Sequence, residues 1–177
     1  MENTENKGPS TGSSQGTEQV KQQVTEAMHG LEAWLAPMYQ NAPHIPENGR
    51  KVIVQIAPWA ALVFGILGIV GLFTALAGGL FLTIGTLGFA TPYLLRALIP
   101  LAFSAVSVAL MLIAFPGLQA MKKSAWNLMF YATTVNVLGG VASVFGAYGY
   151  MMSGFAGTII GAIIGYWLLF EIRSYYK

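Results

Sequence analysis

The sequence predicts an all-α fold, a polytopic membrane protein of four transmembrane helices preceded by a cytoplasmic amphipathic helix. Three observations carry that expectation. Only 9% of the 177 residues are charged and 55% are hydrophobic, against about 25% charged in an ordinary soluble domain. The charges are also uneven: residues 1–51 hold four Lys/Arg and six Glu, whereas the 126 residues that follow hold only Arg96, Lys122, Lys123, Glu171, Arg173 and Lys177. Between those rare charges lie apolar stretches of 25 to 47 residues, room for one or two helices of the roughly 20 residues needed to cross a hydrocarbon core about 30 Å thick.

Composition also narrows function. The formal charge of +2 divides into −2 on the polar head and +4 on the apolar body. Neither part has the cation density that gripping a phosphate backbone requires, so no nucleic-acid partner is expected. Cysteine and aspartate are absent, and both histidines, His29 and His44, sit in the head. The body therefore has almost nothing that titrates near neutrality, no thiolate nucleophile and no disulfide. Neither histidine has a second ligand at metal spacing, and no P-loop, GxSxG or HExxH string occurs, so neither metal nor other cofactor is expected. Glu171 and Arg173 read as interfacial charges, because a lone Glu without a His, Asp or metal partner makes no hydrolase site. The chain is not expected to be an enzyme.

Residues 1–16 carry no large apolar side chain beyond Met1 and cannot offset the entropy of ordering, which predicts a disordered tail. The first apolar run comes too late for a cleavable leader, and Met1-Glu2 excludes myristoylation. From Thr17 the pattern changes. Val20, Val24, Met28, Leu31, Leu35 and Met38 recur at spacings of three and four, one stripe of a helix. With Thr17 as N-cap and Pro37 marking its end, an amphipathic helix falls within residues 17–38. Its polar side carries Glu18, Glu26 and Glu32 against Lys21, the wrong sign for docking on anionic lipid. Such a helix either lies at the interface or against its own bundle, or it docks a cytoplasmic protein partner. Residues 39–51, with Pro43, Pro46 and Gly49, read as a linker.

Four apolar segments follow, near residues 52–77, 97–118, 125–146 and 153–172. Between the first two lies 78–95, apolar but interrupted by Thr83, Gly85, Thr86, Gly88, Thr91 and Pro92; it reads as an outer interfacial segment, a re-entrant one, or a fifth span. The positive-inside rule separates these readings. With four spans, Arg50, Lys51, Lys122, Lys123, Arg173 and Lys177 share one side and Arg96 stands on the other; with five, the cations divide three to four and orient nothing. Four spans with both termini cytoplasmic follow, and 78–95 lies outside or re-enters. Trp59, Trp126, Tyr166 and Trp167 fall near the expected inner boundary and Tyr93, Tyr148 and Tyr150 near the outer one, where aromatic belts form.

Two sets of residues stand out inside the spans. Gly157, Gly161 and Gly165 form a tandem GxxxG in the last span, and Ala61, Gly65 and Gly68 a small-residue face in the first. Small residues let helix backbones approach closely in lipid, either within the bundle or, for the last span, between copies in a homo-oligomer. Thr133, Asn136, Gly140 and Ser143 share one face of the third span, and Ser104 and Ser107 one face of the second. Such groups act as hydrogen-bonding glue between helices or line a small polar pathway centred on Asn136. No span has an ionisable residue near its middle, which disfavours a proton-coupled transporter.

Ile56-Ala57-Pro58-Trp59 opens the first span, Ala114-Phe115-Pro116-Gly117-Leu118 closes the second, Lys122-Lys123-Ser124-Ala125-Trp126-Asn127-Leu128-Met129-Phe130-Tyr131 leads into the third, and the sequence from Gly165 to Lys177 ends the fourth. As a set these strings, covering residues 50–177, resemble small uncharacterised multi-span membrane proteins predicted in candidate-phylum bacteria. The resemblance implies a bacterial cytoplasmic membrane protein and supplies no activity. The function expected is a non-enzymatic scaffold or interaction subunit, with the lipid bilayer and a cytoplasmic protein as partners; the alternative is a small oligomeric channel or transporter for a neutral or weakly polar solute.

Overall fold

The computed structural model describes residues 12–40, 42–146 and 152–177. Residues 1–11 of the expected tail lie outside the described residues, as do Tyr148, Tyr150 and the side chain of Tyr93. The chain divides into two compact units, Met1–Ala42 and Pro43–Lys177.

Helix α1, Gly12–Gln40, makes up the described part of the first unit. It exceeds the expected helix at both ends. Gly12–Gly16, assigned to the tail, are helical, and Thr17 lies inside the helix rather than capping it. Pro37 does not end it: there the ring deletes only the N–H that would reach the Ala33 carbonyl, and three more residues complete the turn. Lys21 and Glu18 pair at 2.8 Å and His29 and Glu32 at 3.7 Å, both one turn apart. Val20, Val24 and Met38 of the apolar stripe are exposed, as is Trp34.

The second unit is built from α2 (Glu47–Gly85), α3 (Thr91–Gln119), α4 (Lys123–Gly146) and α5 (Met152–Ile172), closed by a 3₁₀ turn at Arg173–Tyr175. Successive helices run antiparallel. Gly65 and Gly79 of α2 face Leu112 and Leu94 of α3, Ser107 of α3 bonds the Ala132 carbonyl of α4, and Trp126 of α4 bonds the Leu169 carbonyl of α5. Helix α3 thus lies between α2 and α4, and α5 packs on α4.

The segment 78–95 is divided between two helices. Gly78–Gly85 continue α2, Thr91–Leu95 begin α3, and only Thr86–Ala90 connect them. Two of the threonines that looked like interruptions satisfy themselves on the helix: Thr83 and Thr86 donate their hydroxyls to the carbonyls four residues back, at 2.8 and 2.7 Å. The helix stops where Gly88 N–H reaches Thr83 O and Leu87 N–H reaches Ile84 O, at 2.8 and 3.1 Å, a Schellman closure. Pro92 opens α3, where a missing N–H costs no bond. The expected linker also shrinks, since Glu47–Lys51 form the first turn of α2, with Lys51 paired to Glu47 at 2.8 Å.

Helix α2, with 39 residues, is about 58 Å long and α3, with 29, about 43 Å, both longer than a hydrocarbon core of about 30 Å. Among the described residues three helices are long and apolar enough to cross a membrane: α2, α3 from Leu94, and the last helix from Ala156. The chain is an all-α membrane protein.

The core between α4 and α5 is aromatic. Trp126 stacks on Phe130 with centroids 5.7 Å apart, Phe130 meets Tyr166 at 5.4 Å, and Phe170 sets its edge to Trp126 at 6.0 Å. Trp126 and Tyr166 are therefore core residues rather than boundary anchors, buried because their polar tips find partners: Trp126 Nε1 donates to Leu169 O at 2.8 Å, and the Tyr166 hydroxyl lies 2.8 Å from Thr134 Oγ1.

Candidate functional site

One end of the bundle collects charge. Arg50 and Lys51 lie in the first turn of α2, Lys122 and Lys123 at the α3–α4 junction, and Arg173 and Lys177 beyond α5. Backbone pairing holds the last residue against that junction: Lys123 N–H donates to Lys177 O at 2.9 Å and Lys177 N–H to Met121 O at 3.1 Å. Lys123 Nζ and Arg173 Cζ stand 5.0 and 5.3 Å from the Trp126 ring centroid. Cation faces on an aromatic ring are favourable contacts.

At the same end Glu171 is buried. Its Oε1 accepts the Ile45 backbone N–H at 2.8 Å and lies 2.9 Å from Arg50 Nε; its Oε2 lies 3.2 Å from His44 Nδ1. Arg50 Nε also donates to Ile45 O at 2.8 Å, and Trp167 Nε1 to Pro43 O at 3.2 Å. A buried carboxylate is tolerated only when paired and hydrogen-bonded, and this one is, so the cluster laces Pro43–Ile45 to the end of α5. Sequence reading treated Glu171 as solitary because His44 and Arg50 are more than 120 residues away.

Between α2 and α5 runs a cleft of about 760 Å³. Ile56, Ala60 and Phe64 of α2 wall one side, Gly157, Gly161 and Leu168 of α5 the other, and Met129, Thr133 and Asn136 of α4 form the floor. Gly157 and Gly161 have open space where a Cβ would stand, and Gly165 only reaches ordinary contact with Thr133 at 3.6 Å. The tandem GxxxG thus does not bring α5 against another helix of the chain; it hollows the cleft. The first-span face does pack: Ala61 is buried, a Cβ on Gly65 would fall 2.6 Å from Leu112, and Gly68 abuts Val108. Close approaches also occur at glycines without GxxxG spacing: Gly117 to Ala125, Gly139 to Phe103 and Gly140 to Thr158.

The intramembrane polar residues divide. Asn136 Nδ2 donates to Ser107 Oγ at 3.3 Å and Ser107 Oγ donates to Ala132 O at 3.0 Å, joining α3 to α4. Thr133 turns back to Met129 O at 3.0 Å and Ser143 to Gly140 O at 2.6 Å, so neither bridges helices through its hydroxyl. Ser104 joins no hydrogen bond of this set among the described residues. Thr134, which sequence reading passed over, makes the α4–α5 bond through Tyr166.

Among the described residues no three His, Asp or Glu side chains converge on a metal position, and the cleft lining holds Thr133, Asn136 and Thr158 as its aliphatic polar groups, with no acid or base. Fold and site together define a helical membrane protein with an apolar cleft between its first and last long apolar helices. No protein-family model, curated protein or solved structure matches the chain.

Proposed function

We propose that the protein is a non-enzymatic, four-span scaffold or interaction subunit of the bacterial cytoplasmic membrane, with both termini cytoplasmic. The cleft is the observation that supports it. A surface lined by apolar side chains, bare glycines and three polar groups without an acid or base has nothing to move a proton or attack a bond. Helix α4 counts as the fourth span, with polar groups turned toward α3 and α5 through Asn136–Ser107 and Thr134–Tyr166. The exposed Val20, Val24, Trp34 and Met38 of α1 offer a cytoplasmic partner an apolar face. Deleting residues 17–38 is expected to release a co-purifying protein; full retention of every such protein would remove the scaffold reading.

A second reading keeps one observation in its favour. Asn136 is largely exposed in the cleft, and copies assembled around that face would form a conduit for a neutral or weakly polar solute. Asn136→Leu separates the two, since abolished flux in liposomes with unchanged partner capture supports the conduit.

A further inference from the structure

We infer that the cleft between α2 and α5 seats an anionic diacyl phospholipid of one leaflet, its acyl chains along the glycine wall and its phosphate at the cationic end. The inference rests on the proposed placement of the bundle in a bilayer.

Size, position and charge support it together. The cleft runs from Ile53 to Phe64 on α2 and from Gly157 to Ile172 on α5, eleven and fifteen helical rises or about 16 and 22 Å, at least half of a hydrocarbon core about 30 Å thick but short of the whole. It therefore has room for the acyl chains of one leaflet but is shorter than a helix that crosses the whole core. Its volume of about 760 Å³ falls in the range of ligand sites, and the absent Cβ atoms of Gly157 and Gly161 leave it open. One end is bounded by Ile53, Trp126 and Ile172, where the cations stand. Lys123 and Arg173 lie over the Trp126 ring, Arg173 follows Ile172, and Lys51 precedes Ile53 by two residues. Six side-chain cations stand against two side-chain carboxylates there, Glu47 and Glu171, a net surplus of four. The surplus positive charge complements a phosphodiester at the level where headgroups lie. α1 lacks such a basic face, with Glu18, Glu26 and Glu32 against Lys21.

The full chain, reconstituted in vesicles of equal phosphatidylglycerol and phosphatidylcholine and extracted in a mild detergent, is weighed intact with its retained lipid. One phosphatidylglycerol per chain is expected, preferred about tenfold over phosphatidylcholine, and the Lys123→Gln/Arg173→Gln pair should bring that preference near parity. Arg96→Gln, at the far end of α3, should leave it unchanged. Gly161→Phe, which enters open space, should expel both lipids without lowering the thermal midpoint, and it keeps the test valid if the charge variant unfolds. Equal retention of the two lipids by the unaltered chain overturns the inference, as does an equal loss of preference in Arg96→Gln or undiminished retention in Gly161→Phe. A dimer that Gly161→Phe dissociates also overturns it, since a helix of a second copy would then occupy the cleft. Partition of the chain into the membrane fraction, measured separately, tests the placement on which the inference rests.

Discussion

At the residue scale the two helix closures carry a strain that is open to repair. Met121 and Leu87 sit at φ 51° and 52°, each at the position after its helix where glycine is the usual occupant. At α3 the closure is formed by Lys122 N–H to Gly117 O and Met121 N–H to Leu118 O, at 2.9 and 3.1 Å. A side chain in that conformation costs about 1–2 kcal/mol. Met121→Gly should therefore raise the thermal midpoint in detergent, by about 1 kcal/mol of stability after glycine's own entropic penalty. Glu171 predicts the reverse. Glu171→Gln removes charge from three contacts and should lower stability by about 2 kcal/mol, short of the penalty for a fully buried ion pair because His44 and Arg50 reach water. An Arg50→Gln, Glu171→Gln double-mutant cycle measured by unfolding should show less than additive loss.

At the element scale the glycines of α2 and α5 look alike in sequence and differ in what they meet. Gly68 lies against Val108, whereas Gly161 faces open space. Gly68→Leu should force α2 and α3 apart and cost about 1–3 kcal/mol as an overpacked contact, while Gly161→Leu should leave the thermal midpoint unchanged. Comparing the two unfolding curves checks this. Spacing alone could not tell these glycines apart, because three- and four-residue periodicity specifies a shared face and not the element opposite it. The same limit explains 78–95. Threonine and glycine there suggested a longer break, yet the Thr83 and Thr86 hydroxyls bond carbonyls of α2, which apolar surroundings favour because no water competes for them.

At the scale of the whole molecule the four helices of the second unit stand antiparallel with six cations at one end. In the proposed topology that end is cytoplasmic. A cysteine placed at Leu87, exposed between α2 and α3, should react with an impermeant thiol reagent in intact cells, and one at Ser124 should not; the opposite labelling would reverse the orientation. The sequence by itself determined the all-α class, the polar head and apolar body, four of the helices to within a turn or two at most boundaries, and the residue types available for chemistry. It did so because hydropathy and helical periodicity are local properties of the chain. Only the tertiary structure decided that Trp126 is core rather than anchor, that Glu171 is laced to His44, Ile45 and Arg50, and that Gly157 and Gly161 leave a cleft instead of filling one. Each of those depends on which faces of distant helices meet, and contact between residues far apart in the chain leaves no mark in local spacing or composition.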